Sequence, residues 1–372
     1  MDLTLTEEQK FIKDTAQKFI KENFSFEKRC ELLSSGRETA DDINKKFSEL
    51  GWLGLHISEK EGGFGGSVSD VMTLVEAIGT GMLIESFTNN ILFAGKILER
   101  FISNKYSKDL LKDLMNANKK FSVAIDEPGN KYNYSNCNTK FEIKEKIILN
   151  GHKTFVLGAN KADFIIVNAA GPSNEVGCFV IPRTSAQIEI NSYKTIDDIS
   201  AADVFIKNLV IENDKSILKI SKAKEFNDIL DYIIDYVTLA VCSEALGVID
   251  KMYESTLEYV KTREQFGRKI GSFQVIQHRL VDMYIKKEEM RSLNYMGQIF
   301  LDKTKEERNK KISLNKIFLG THAKSMAQDC IQLHGGMGVA DEMEVGHYFK
   351  KITTLSNLFG NADYHFDRYS KM

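Results

Sequence analysis

Arg263, Glu264, Gln265, Phe266 and Gly267 put a cation, an amide, an aromatic face and a flexible backbone position into five residues. An arginine offers a planar, permanently charged fork that matches a phosphate. Gln265 can bond a second oxygen, Phe266 offers a face, and Gly267 permits a sharp exit that a bulkier residue would obstruct. This grouping suits one end of a large anionic ligand. On spacing alone a second reading stands beside it: a helix C-terminus, with Arg263 favourable to the helix dipole and Gly267 as its stop.

A second stretch, Gln332-Leu333-His334-Gly335-Gly336-Met337-Gly338, carries three glycines in four residues. It would let backbone amides approach a ligand, or simply end a helix and turn. A lone His334 reads as structural as readily as catalytic. The third glycine cluster, Glu61-Gly62-Gly63-Phe64-Gly65-Gly66, lacks the surrounding strand-helix-strand unit that a dinucleotide fingerprint requires.

Several chemistries lack support. Cys30, Cys137, Cys178, Cys242 and Cys330 are scattered and form no CxxC pair, so neither a metal site nor a disulfide framework is expected. They read as small core residues in a reducing, cytoplasmic setting. With 50 basic and 52 acidic residues the formal charge is −2, which gives no electrostatic case for nucleic acid or a membrane surface. No run is expected to approach the roughly 20 apolar residues of a membrane span. The N-terminus is acidic where a signal peptide would be basic and then apolar.

The elements that must position these stretches follow an α, β, α order. Residues 1–118 read as helices. Thr6 and Gln9 form a capping-box pair ahead of Phe11, Ile12, Ala16, Phe19 and Ile20, and a second helix is expected over 39–50. Residues 119–215 hold short β-branched and aromatic runs, from Phe121–Ile125 to Val204–Ile206, separated by turn residues. They predict an antiparallel sheet domain, and all three prolines lie there. Residues 216–372 predict a four-helix bundle. Its first helix ends near Thr262, its second starts after Ser272 as N-cap, its third covers 312–333, and its fourth is capped by Asp341 with Glu344. The charged run 302–311 reads as a solvated connection.

Taken together, the blocks resemble the acyl-CoA dehydrogenases. Thr262 to Gln274, with Gln277, Leu280, Asp282 and Met283, is similar to that family's most recognisable block, and Gln332 to Val339 to its second. Gly51-Trp52-Leu53-Gly54-Leu55 with Glu61 to Gly65 matches the N-terminal pattern, with Ser58 where proline is usual. The resemblance implies an α+β fold: an N-terminal helical domain, a middle antiparallel β domain and a C-terminal four-helix bundle. It implies a tetramer with FAD across a dimer interface. Arg263, Gln265 and Phe266 of one chain would hold the adenosine diphosphate part, with Gln332 and Gly336 of its neighbour. It also implies α,β-dehydrogenation of an acyl-CoA thioester, with electrons passed to an electron-transfer flavoprotein.

At the reactive end the chain departs from the family pattern. The usual glutamate base falls on Phe359, and the alternative position on the first long bundle helix falls on Val237. Neither can take a proton. The flavin-ring segment reads Phe155-Val156-Leu157: Phe155 can still cover the ring, but Leu157 lacks a hydroxyl. In the preceding loop Asp126 replaces the threonine before Glu127-Pro128. A replacement base is expected at Glu244, two turns beyond Val237 and about 10 Å along nearly the same face, or Glu244 is an ordinary pairing partner inside the bundle. Asp363 is another acid near the former base segment. The ending Leu358 to His365 is similar to one subunit type of two-component members, in which a companion chain carries the base. Three readings stay open: a homo-oligomeric flavoenzyme, a non-catalytic or half-site subunit of an α2β2 assembly, and a flavin- or CoA-binding scaffold.

Overall fold

The computed structural model describes residues 4–35, 40–211 and 214–371. The helices are α1 (Glu7–Asn23), α2 (Phe26–Ser35), α3 (Ala40–Glu49), α4 (Val68–Gly79), α5 (Ala94–Arg100), α6 (Lys105–Met115), α7 (Ala223–Thr262), α8 (Gln274–Phe300), α9 (Lys305–Phe318), α10 (Lys324–His334), α11 (Glu344–Asn357) and α12 (Ala362–Ser370). The strands are β1 (Phe121–Ala124), β2 (Lys140–Ile143), β3 (Ile147–Leu157), β4 (Phe164–Ala170), β5 (Glu175–Pro182), β6 (Ile188–Lys194), β7 (Ser200–Ile211), β8 (Ile217–Lys222), β9 (Glu264–Gln265) and β10 (Arg268–Lys269). Two units divide this chain. A helical unit holds residues 4–35, 68–83 and 238–371, and a sheet unit holds 40–67, 84–211 and 214–237.

In the helical unit α1 starts as its sequence dictates. The Thr6 hydroxyl accepts from the Gln9 amide at 3.2 Å, and the Gln9 side chain accepts from the Thr6 amide at 3.1 Å. Ala16 and Ile20 are buried, whereas Phe11, expected on the same face, is 72% exposed. Close backbone contact sets how α4 meets α7. A Cβ at Gly79 would lie 2.2 Å from the Glu244 carbonyl oxygen, and one at Gly247 would lie 1.9 Å from that of Glu76. Only glycine allows that approach. The Arg291 fork reaches Glu76 at 2.7 Å and Asp250 at 2.5 Å, tying α8 to both.

Four boundaries of the bundle differ from expectation. Helix α8 has Phe273 as N-cap, and the Ser272 hydroxyl instead donates to the Lys269 carbonyl at 2.7 Å. Met343 stands at the N-cap of α11 with no side-chain cap, while the Asp341 carbonyl faces His347 Nε2 at 3.0 Å. The run 302–311 is largely helix, because Thr304 and Glu307 form a reciprocal capping box that starts α9 within it. From α9 the chain continues through a π-helical turn, Leu319–Ala323, into α10. The short helices α2 and α12 were not expected; α12 starts where the Asn361 side chain accepts from the Tyr364 amide. A window of α7 is also long and apolar enough to span a bilayer, which corrects the expectation that no run approaches that length. That window is 94% buried, so its apolarity is that of a core helix.

In the sheet unit the strands run in the order β6-β7-β3-β2-β4-β5-β8, with β1 added against β4. Pairing is mostly antiparallel, but β1 runs parallel to β4, Phe121 opposite Phe164. Lys140 of β2 also meets Ala170 of β4 in parallel, so the antiparallel sheet expected over this stretch is present with two parallel contacts to β4. Strands β6 and β8 were not expected either. Both lie at sheet edges and are largely polar, so their alternation is weak. Phe141, Leu149, Ile165, Phe179, Val204 and Ile206 fill the core.

Candidate functional site

Helix α7 ends at Thr262, and the chain then forms a tight hairpin. Gln265 pairs with Arg268 and Glu264 with Lys269, while Phe266 (φ 55) and Gly267 (φ 73) make the turn. Two successive positive φ values are what a two-residue hairpin requires. Gly267 is therefore the apex of a turn, not the stop of a helix. A Cβ there would meet nothing within 4 Å, so backbone conformation, not space, selects glycine. Arg263, Gln265 and Phe266 are all exposed, Phe266 at 92%. The Arg268 guanidinium lies 4.1 Å from the centroid of Phe273 and braces the hairpin from behind.

The second glycine stretch meets the root of this hairpin within the helical unit. The His334 ring stacks on Tyr259 at 4.3 Å, and the Tyr259 hydroxyl donates to the His334 carbonyl at 3.3 Å. His334 Nδ1 faces the Cys330 carbonyl at 2.9 Å, while its buried Nε2 has no partner among the described residues. Burial pushes the imidazole pKa down. Gly335 takes φ 59 and ψ −139, which is glycine territory. Gln332 and Gly336 are exposed, and none of the described residues lies within 4 Å of a Cβ built on Gly336. The local signals saw both stretches; the stacked ring that joins them was not legible, because Tyr259 looked like one more apolar helix position.

The sheet unit holds the segments expected at the reactive end. Phe155 is half-buried at φ 52, beside a register shift of β3 against β7. The preceding Thr154 amide donates to the Asp126 carbonyl at 2.9 Å, which lays the Asp126 loop against β3. Leu157 is buried, and its carbonyl accepts from Ser122 at 2.5 Å and Asn90 at 3.1 Å. Glu127 anchors the loop. Its carboxylate accepts from the Asn138 and Thr139 amides and from Lys153 Nζ at 2.7 Å, and Lys153 also reaches Asn168 at 2.7 Å. The Lys153 and Glu127 side chains are completely buried. Burial opposes the charge of Glu127, but Lys153 and the amides prevail and hold its pKa at about 2. Lys153 was not singled out from sequence, since nothing local marks a lysine in a strand as buried.

At the proton-acceptor positions Val237 is fully buried. Phe359 is buried at φ 55, followed by Gly360 at φ 113. The Phe359 carbonyl faces His365 Nε2 at 3.1 Å, and His365 Nδ1 faces the Ser313 hydroxyl at 3.2 Å. Lys316, fully buried, donates to the Leu355 carbonyl below this loop, and burial lowers its pKa to about 7. Glu244 is buried and ion-paired with Lys351 at 2.8 Å, so action as a base would require opening that pair. Asp363 is exposed in the first turn of α12.

Residues 231–371 match the family described as Acyl-CoA dehydrogenase, C-terminal domain, and residues 6–117 match Acyl-CoA dehydrogenase, N-terminal domain. The chain is 24% identical over 368 residues to the Caffeyl-CoA reductase-Etf complex subunit CarC of Acetobacterium woodii, covering 96% of each chain. It is 25% identical over 373 residues to a 3-(aryl)acrylate reductase of Clostridium sporogenes, again covering 96% of each. Among solved structures it resembles butyryl-CoA dehydrogenase from Megasphaera elsdenii, with TM-score 0.89, 20% identity, and 100% and 99% of the two chains covered. It resembles equally the ChsE4-ChsE5 complex from Mycobacterium tuberculosis, with TM-score 0.89, 21% identity, and 100% and 98% covered.

Proposed function

Because the chain belongs to the acyl-CoA dehydrogenase family, we propose that it is an FAD-dependent oxidoreductase acting across the α,β bond of an acyl-CoA thioester. An electron-transfer flavoprotein exchanges electrons with it. The chain works in the cytoplasm within a tetramer, either of identical subunits or as α2β2.

The observation that carries this reading is the β9–β10 hairpin. It presents Arg263, Gln265 and an almost fully exposed Phe266 on a turn that Gly267 alone makes easy. Covering such a ring with a ligand or a second chain is favourable, since it removes apolar surface from water. The residues fit the diphosphate end of FAD: Arg263 and Gln265 bind and orient it, Phe266 covers it, and the open backbone around Gly336, with Gln332, admits close approach. Phe155 is the residue offered to the ring. FAD, when bound, supplies the two-electron acceptor for the β-carbon hydride.

A second reading rests on the acceptor positions. Val237 and Phe359 are buried and apolar, and Glu244 lies in a buried ion pair. On this reading the chain is the half-site subunit of a heterotetramer, and the α-proton goes to a carboxylate of the companion. The likeness to the ChsE4-ChsE5 complex favours it.

Purifying the chain alone and recording its mass and visible spectrum tests both. A yellow oligomer whose flavin bleaches anaerobically with an acyl-CoA supports the first reading. Bleaching that appears only with a companion subunit supports the second. A yellow chain inert towards acyl-CoA, alone or with companions, overturns both and leaves the scaffold reading, and a chain that binds no FAD alone or in company also overturns both.

A further inference from the structure

Two neighbouring acids of the sheet unit are held in opposite states. Glu127 is closed into its pair with Lys153 and the Asn138 and Thr139 amides. Lys153 is occupied by that pair and by Asn168. Asp126, one residue earlier, is half-buried with the Tyr134 phenol beside its carboxyl. The charged or titratable groups around it are Glu127, Lys153 and the phenols of Tyr132, Tyr134 and Tyr193. Burial raises its pKa to about 6, with Lys153 and Tyr134 opposing and Glu127 assisting. Environments that push two acids apart in this way separate a structural carboxylate from one that exchanges protons near neutral pH. Asp126 also lies against β3 immediately before Phe155, through the bond from the Thr154 amide to its carbonyl. The two segments expected at the flavin ring are thus side by side in one unit.

We propose that Asp126 is the proton-exchanging residue of the flavin site, its carboxyl taking up one proton on two-electron reduction of bound FAD and releasing it on reoxidation. The inference rests on the functional reading above, in that FAD must lie against this loop. Two electrons from a reductant add negative charge to the ring, and an ionised carboxylate beside that charge is disfavoured. Protonation of Asp126 removes the repulsion. The proton comes from solvent, and no bond to the cofactor forms. A threonine hydroxyl at this position would not titrate.

The test is the midpoint potential of the bound flavin as a function of pH, measured by dithionite titration of the whole FAD-loaded protein against a redox dye. Wild type should fall with pH more steeply above about pH 6, by one additional proton per two electrons, than Asp126→Asn or Asp126→Thr. The two variants should have the higher potentials at neutral pH, since each removes the negative charge. Identical slopes in all three proteins overturn the proposal. A second measurement needs no flavin and no variant fold: isotope-edited infrared titration of aspartate in the flavin-free chain should show a carboxyl protonating near pH 6, and its absence also counts against Asp126. If no FAD absorbance accompanies the protein, the functional reading fails as well, an outcome told apart by the missing yellow colour.

Discussion

Lys351 Nζ stands 2.8 Å from Glu244 Oε1, with the two side chains 4% and 7% exposed. Removing one partner of a buried pair strands the other charge and costs about 3–5 kcal/mol, whereas replacing both by apolar groups is often neutral. Lys351→Met should therefore lower the denaturation midpoint sharply, and Lys351→Met with Glu244→Leu should recover most of it. Recovery would identify the pair as structural. A separate readout addresses catalysis: if Glu244 is the proton acceptor, Glu244→Gln abolishes acyl-CoA bleaching of the flavin in protein that remains folded.

Arg263 should matter for cofactor affinity and little for folding. It is exposed on the hairpin, and its loss removes charge-assisted hydrogen bonds worth about 1.5–3 kcal/mol each. Arg263→Ala is expected to weaken FAD binding about 10- to 100-fold, read by flavin fluorescence titration, with an unchanged thermal midpoint of the flavin-free chain. Unchanged affinity would show that the hairpin grips something else.

Lys316 predicts a pH dependence of stability. Burial has moved its pKa down from the ordinary 10.5 to about 7. Between those values the unfolded chain holds the proton and the folded chain does not, so stability rises with pH across that window, and the folded state bears the cost of the charged ammonium below it. Lys316→Met removes this cost and also the bond to the Leu355 carbonyl. At pH 6 the variant should match or exceed wild type in urea, and by pH 9 that advantage should shrink or reverse. Parallel curves for the two proteins would contradict a neutral buried amine.

What could be read from the sequence was what is local. The Thr6–Gln9 box, the Arg263–Gly267 cluster and the glycines after His334 are each specified within a few residues, and each forms a defined feature. Competing local signals misled elsewhere. Ser272 has the better N-cap chemistry, but its hydroxyl is taken by the Lys269 carbonyl and the extended residue is Phe273. Asp341 and Glu344 have capping-box spacing, yet α11 begins after Met343. Pairings between distant residues cannot be named locally: Lys153 with Glu127 had no signal, and although Glu244 was expected as a base or as a pairing partner inside the bundle, nothing near it pointed to Lys351. The segments expected at the reactive end carry such pairings and the segment expected at the diphosphate end is a hairpin, which is why the second was legible and the first was not.

Phe359 allows the missing proton acceptor to be put back. The ring is buried at a positive φ, and its carbonyl is held by His365, so the backbone of this turn is fixed by contacts that do not involve the phenyl group. Phe359→Glu should keep that turn while placing a carboxyl at the position where the family resemblance expects the base. A general base typically contributes about 10²–10⁴-fold. If the chain lacks its own acceptor, the variant alone should bleach with acyl-CoA faster than wild type alone by about that range, in a stopped-flow experiment under nitrogen. If wild type already carries a working base elsewhere, the gain disappears, because a second acceptor adds little to a step already served. Phe359→Gln, similar in shape but unable to take the proton, separates chemistry from repacking: a gain in both variants points to altered packing, and a gain in the glutamate alone to proton transfer.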